Sequence, residues 1–237
     1  ARYPTLEQMK IQGQVYTRRG NTPGDRAKKQ EELLGRRFIG TTEFTKTDRL
    51  HLDAQELDTI RNPSIESRSS TDLRAFQLPQ LIIKLSWVQR TPRFQARMVQ
   101  SSPEIGGVIC SKSFISVHAP HGKDCLETYC ACYNSIFATY YLFLTSVRFA
   151  FDRSELKVRE IQRLPLPDAS SPILEDIHTL ADIDTRVYEL FSLQEAEIML
   201  IEDMAQYTLV DFKGKGNRPG YQPTKRWQQD GANGRAE

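Results

Sequence analysis

The chain has 237 residues, 39% of them hydrophobic, and a formal net charge of +2. That length and composition predict one domain with a sizeable core and a small appendage. No signal peptide is visible, and the apolar run from Ile136 to Leu144, broken only by Thr139, is far short of the roughly 20 residues that cross a bilayer. A cytoplasmic protein with no membrane partner is expected. The first residue is Ala rather than Met, which reads as a piece of a larger protein or a processed chain.

The near-neutral total conceals three zones of different sign. Leu73 to Lys123 holds seven Lys/Arg (Arg74, Lys84, Arg90, Arg93, Arg97, Lys112, Lys123) against the single acid Glu104. Asp168 to Asp211 holds eleven Asp/Glu against the single base Arg186. Phe212 to Glu237 returns to six Lys/Arg against Asp230 and Glu237, with little apolar content, and reads as a disordered end.

The first 70 residues mix helix and loop. Gly24 to Leu34, with Arg26, Lys28, Lys29, Glu31 and Glu32, predicts a short charged helix, and Arg36 to Thr42 a strand. Asn62 to Thr71, with Pro63 and four serines, predicts a loop. A β meander follows: Leu81 to Val88, a turn at Gln89-Arg90-Thr91-Pro92, Arg93 to Val99, breaks at Ser102-Pro103 and Gly106-Gly107, then Val108 to Val117. In the second of these strands, period two puts Arg93, Gln95 and Arg97 on one face and Phe94, Ala96 and Met98 on the other. A positive face beside a turn carrying Arg90 is what a phosphate backbone engages; it equally describes a solvated face balanced by acids elsewhere. His118-Ala119-Pro120-His121-Gly122 predicts a tight loop whose histidines are turn residues, donors to a bound anion or, less commonly, metal ligands.

Asp124 can cap the next element, with Glu127 reaching back to a free N–H, and a single long buried helix is predicted through Leu144. Ala131, Ser135 and Ala138 form a strip of small side chains along it that admits a strand or second helix, and Asn134 on that strip is a polar group that needs a partner. Cys125, Cys130 and Cys132 lie on this helix, and 100° per residue turns Cys130 away from the other two; with Cys110 they read as small buried thiols rather than a metal site.

Two helices are predicted after Leu164-Pro165-Leu166-Pro167. Ser171-Pro172 caps the first, with an apolar stripe at Ile173, Ile177, Leu180, Ile183 or Asp184, and Val187. Ser192 and Glu195 make a capping box for the second, which continues through Ala196, Met199, Leu200 and Met204. The apolar stripes can pack on their own domain or on a partner, and the acidic outer faces suit a basic protein surface. The expected organisation is an α+β domain over residues 1–168 with a mixed or antiparallel sheet on the long helix, an acidic helical hairpin over 169–211, and the basic tail over 212–237.

Catalytic signatures are missing. Methyl transfer from S-adenosylmethionine to a base amino group needs a Gly-rich strand-to-helix turn and an Asn/Asp-Pro-Pro-Tyr loop; Asn62-Pro63-Ser64-Ile65 lacks the second proline and the stacking aromatic. There is no Walker-type phosphate loop and no Gly-x-Ser-x-Gly elbow. Glu155-Leu156-Lys157 after Asp152 resembles half of a magnesium-dependent nuclease site, but the upstream acid at a strand end is missing: the one Pro-Asp pair, Pro167-Asp168, comes later.

The order of features does carry a resemblance: Pro79-Gln80-Leu81-Ile82-Ile83-Lys84, an arginine-bearing hairpin, a strand ending in a polar loop, Asn134-Ser135 in a helix finishing Tyr140-Tyr141-Leu142, then Leu164-Pro165-Leu166-Pro167. From Phe76 to Pro167 this resembles the C-terminal target-recognition domain of TaqI-like adenine-N6 DNA methyltransferases, including those fused to restriction or phage-exclusion systems, and Ser171 to Asp211 resembles the helices that follow it. The resemblance implies a non-catalytic chain that binds double-stranded DNA and reads sequence. A separate methyltransferase catalytic domain or subunit would hold S-adenosylmethionine, with no cofactor or metal in this chain. The DNA-contacting residues expected on that reading are Lys84, Arg90, Arg93, Gln95, Arg97, Lys112, His118, His121 and Lys123, with Arg90 and Arg93 at the hairpin tip as candidates for bidentate guanine contacts. Two other classes remain open: a protein-interaction module built on the acidic hairpin, and a single-stranded nucleic-acid binder, which would need aromatic rings exposed on the sheet.

Overall fold

The computed structural model describes residues 3–24, 26, 28–45, 50–67, 69–87, 93–120, 122–146, 155–167, 177 and 179–208. Its fold class is α+β, as the sequence predicts. The central sheet has five strands in the order β1 (Tyr16–Arg19), β9 (Phe114–His118), β6 (Gln80–Lys84), β7 (Ala96–Gln100) and β4 (His51–Asp53). It is mixed: β1–β9, β9–β6 and β6–β7 are antiparallel and β4 runs parallel to β7. Two small ladders lie outside it, β2 (Lys28–Lys29) with β5 (Ser64–Ile65), and β3 (Phe38–Ile39) with β8 (Ile109–Cys110).

The strands β6 and β9 are buried along their whole length because both faces of the sheet are covered. One face, with Leu81 and Ile83, packs on α1 (Leu6–Ile11), α3 (Lys123–Asn134), α4 (Ile136–Thr145), α5 (Val158–Ile161) and α6 (Leu180–Phe191). The other, with Ile82, Val99 and Phe114, is covered by Leu33, Ile39, Phe44, Ile60, Ile65 and Phe76 from the N-terminal third, which includes α2 (Thr41–Thr45). Gln80, fully buried, binds this layer to the sheet: its Nε2 donates to Val108 O and to Ser116 Oγ, both at 2.7 Å, and its Oε1 accepts from Val108 N at 2.8 Å. Gly106 takes φ +72°, and a Cβ on Gly107 would sit 2.2 Å from Phe76 O, so the glycine pair before Val108 is required twice over.

Several elements differ from the sequence expectations. The long helix is two helices, because Ser135 is extended (φ −79°, ψ 157°) and its Oγ accepts from Ala138 N at 3.3 Å, capping α4. Gly122 rather than Asp124 is the N-cap of α3, and Glu127 pairs with Lys123 instead of closing a capping box. The charged segment after Gly24 is not a helix: Lys28 and Lys29 pair with Ile65 and Ser64, and only Glu31–Leu33 makes a 3-10 turn. Likewise Arg36 to Thr42 contributes a two-residue strand that runs into α2. The third meander strand is interrupted at Ser111, so β8 leaves the main sheet to pair with β3.

The acidic helices form as α6 and α7 (Glu195–Asp203), with shifted ends. Thr179 caps α6 in a box with Asp182, Ser192 ends it in the left-handed region at φ 53°, and Gln194 caps α7. Ile183, Val187, Tyr188, Phe191 and Ile201 from this pair are buried in the same core as the sheet. The expected Ser171-Pro172 cap, the turn at Gln89–Pro92 and the tail over 212–237 lie outside the described residues.

Candidate nucleic-acid interface

The expected contact residues do not form one open face. Arg93 precedes β7, and its guanidinium turns to the helical side, where Nη1 donates to Asp184 Oδ1 at 2.7 Å and to Asn134 O at 3.0 Å while Nη2 pairs with Asp184 Oδ2. Arg97, only 2% exposed, points to the opposite side of the sheet and lies over the Phe44 ring at 4.3 Å. The strict alternation expected from Arg93 to Arg97 therefore fails, because regular strand geometry begins at Ala96. Lys84 shares the Arg97 side and is buried; burial first, and the neighbouring Arg97 charge second, lower its pKa. Gln95 is half-buried and its carbonyl accepts from Lys84 N at 2.8 Å.

Lys112 is paired with Glu66, and Lys123, 70% exposed, lies 3.3 Å from Glu127. His118 ends β9, buried, with Nδ1 donating to Pro79 O at 3.0 Å and its ring 6.0 Å from that of Tyr16. Arg90 and His121 lie outside the described residues.

A different set of cations does converge. Beside the edge strand β1 lies a cleft of about 560 Å³, lined among others by Lys10, Tyr16, Arg18, Arg19, Ser70, Asp72 and Arg74. Four of these are cations and one is an acid. Arg18 is half-buried and structural: it donates to the carbonyls of Ser70 and Asp72 and lies 5.4 Å from the Phe76 ring centroid. Arg19, exposed at the strand end, donates through Nε to Lys112 O at 2.6 Å and pairs with Glu155 at 3.0 Å, which brings Lys112 to the rim. The guanidinium of Arg74 sits over the Tyr16 ring at 4.7 Å. Hydrogen bonds from Arg74 hold the Asp72 carboxyl well below its ordinary range, at about 2, so it is ionised throughout the physiological range. Beside the α5 residue Val158, which also lines the cleft, Arg159 and Arg163 share the single carboxylate of Glu7 at 3.0 and 3.1 Å.

Among the described residues around this edge, Lys10, Arg18, Arg19 and Arg74 line the cleft with Asp72, Arg19 pairs with Glu155, Arg159 and Arg163 beside it share Glu7, and Lys112 pairs with Glu66, seven cations against four carboxylates. Fixed positive charge in a concave surface attracts polyanions from a distance and binds them with release of counterions. The sequence reading missed these residues because it assigned no strand to Tyr16–Arg19. The signal was there in a paired Arg18-Arg19 ahead of Gly20.

Other chemistry has less support. Among the described residues no group of three His, Cys, Asp or Glu is placed to hold a metal ion, and Glu155 of the nuclease-like triplet is engaged by Arg19. No helix among them is long and apolar enough to cross a membrane. With both sheet faces covered, base stacking on the sheet has no platform there.

No family model matches the chain, and no curated protein matches it. Among solved structures, the chain is similar to one described as "Structural basis underlying complex assembly and conformational transition of the type I R-M system", at 14% identity and a TM-score of 0.34. The match covers 90% of this chain and 46% of that one, so the chain spans about half the length of its structural neighbour. A likeness of that size fixes neither family nor function.

Proposed function

We propose that this chain is a DNA-contacting part of a restriction-modification system that binds duplex DNA and reads sequence without doing chemistry itself. The observation that carries the reading is the cleft beside β1, where Lys10, Arg18, Arg19 and Arg74 meet Asp72 in the lining and Glu155 at the Arg19 guanidinium. Such a surface fits a phosphate backbone, which positions a duplex while neighbouring loops reach base edges. Arg19 and Lys10 hold the backbone, with Lys112 at the rim. Arg90, in the sequence between β6 and β7, remains the proposed guanine reader, with Lys123 and His121 as further contacts. Arg93, Arg97 and Lys84 act through packing within the fold.

The more specific assignment is a target-recognition domain of the adenine-N6 methyltransferase type, working with a catalytic domain or subunit that binds S-adenosylmethionine. It rests on the resemblance from Phe76 to Pro167. The residues that carry the resemblance have folding roles that such a domain would need: Asn134 joins helix to sheet, and Leu164 and Leu166 are fully buried while Leu166 N donates to Pro4 O at 2.8 Å. Selection from a random-sequence duplex library over a salt series, with single-stranded DNA as control, tests the function. Duplex binding that weakens steeply with salt and enriches a short motif is expected. Absence of duplex binding would favour the acidic hairpin as a protein-docking element instead.

A further inference from the structure

Within the cleft, Arg74 is held in a way that a phosphate would reproduce. Asp72 grips the guanidinium by three bonds, from Nε to Oδ1 at 3.0 Å and to Oδ2 at 3.1 Å and from Nη2 to Oδ2 at 2.7 Å, and also accepts Arg74 N at 3.0 Å through Oδ1. The carboxylate therefore occupies the planar fork with which arginine receives two oxygens of a phosphate. Tyr16 supports the guanidinium from one side, and Arg18 fixes the loop by taking the carbonyls of Ser70 and Asp72. The pair itself is open to solvent, with the two side chains 60% and 44% exposed, so little free energy holds it shut. Lys10 lines the same cleft and adds positive charge, and Arg19 beside it is paired with Glu155.

We propose that the Arg74 fork is the seat for one backbone phosphodiester of a bound duplex, and that Asp72 fills this seat in the free chain and is displaced on binding. The inference rests on the duplex-binding reading above and names the atoms at which the backbone is gripped. Dissociation constants for a short random-sequence duplex would be measured over a salt series for the wild-type chain, Asp72→Asn, Arg74→Lys and the double variant, with melting temperatures alongside. Asparagine keeps the Oδ1 that accepts Arg74 N, so the loop is retained while the competing charge is removed.

Asp72→Asn is expected to bind about 1.5–5-fold more tightly at low salt, as expected for relieving an exposed ion pair. Arg74→Lys keeps the charge but loses the fork, and is expected to bind roughly 5–10-fold more weakly. In the Arg74→Lys background, Asp72→Asn should then bring a clearly smaller gain, the through-space part alone. An equal gain in both backgrounds would show that Asp72 acts only as a through-space charge and would overturn the seat. So would an unchanged affinity of a normally folded Asp72→Asn chain. If the wild-type chain bound no duplex even at low salt, the functional reading would fall together with the seat; if it bound and Asp72→Asn changed nothing, the seat alone would fall.

Discussion

Asn134, the last residue of α3, pairs with both backbone polar groups of Ala96 at the start of β7: Nδ2 donates to Ala96 O at 2.8 Å and Oδ1 accepts Ala96 N at 3.2 Å. The amide stands in for a strand neighbour at the point where β7 begins, and Nδ2 also donates to Cys130 O at 2.8 Å. Asn134→Ala leaves buried backbone groups unpaired and should lower unfolding stability by about 2–4 kcal/mol. Urea denaturation checks this, and an unchanged midpoint would show that the amide is dispensable.

Arg93 and Asp184 make the second test of how the helices are fastened to the sheet. Their side chains are 15% and 11% exposed, and Asp184 Oδ1 also accepts Ile136 N at 2.9 Å, serving the first turn of α4. Removing either partner strands a largely desolvated charge, so Arg93→Ala and Asp184→Ala should each cost about 2–4 kcal/mol, and the double variant clearly less than their sum. If Arg93→Ala instead kept full stability and lost DNA affinity, Arg93 would be a contact residue and its assignment to packing would be withdrawn.

The cysteines give a prediction with a defined pH sign. Burial pushes the Cys110 and Cys130 thiols up from 9.0 to about 12 and raises Cys132 as well, all three being fully enclosed. Folded-state pKa values above the unfolded one favour folding fully below pH 9, and this contribution is lost as the pH rises through about 12. Stability should therefore fall from pH 9 upward. At pH 8, a thiol reagent should find at most Cys125, which is half-buried and bonded to Gly122 O, until denaturant exposes all four. Rapid modification of two or more thiols in the folded chain would contradict this burial.

How much of this could be read from the sequence depended on whether local pattern or distant contact decided the outcome. The α+β class, the β6–β7 pairing, the need of Asn134 for a partner and the burial of three of the four thiols followed from hydrophobic runs and turn residues, whereas the expected meander order did not hold: β9 pairs with β6, not with β7. The break at Ser135 was not read although its cap is local, Ser135 Oγ accepting Ala138 N; its second support, Asp184 accepting Ile136 N, comes from 48 residues away. Lys28-Lys29 looked helical by composition and became a strand because Ser64-Ile65 offered a ladder. Arg93 and Arg97 looked like one charged face, yet one is drawn to Asp184 and the other is enclosed beside Phe44. The cationic cleft was least legible of all, since it gathers Lys10, β1 and the loop before Phe76 from separate parts of the chain.

Duplex affinity against salt, compared among single-charge variants, tests the cleft most directly. Lys10→Gln and Arg19→Gln remove charge at the cleft, and Arg186→Gln removes the same charge from α6, where Arg186 pairs with Glu189. Each cleft variant is expected to weaken binding about fivefold and to reduce the salt slope by roughly one, as for a lost phosphate contact, whereas Arg186→Gln leaves both unchanged. Equal losses from all three variants, or no loss from either cleft variant in a normally folded chain, would show that the duplex does not bind at this edge.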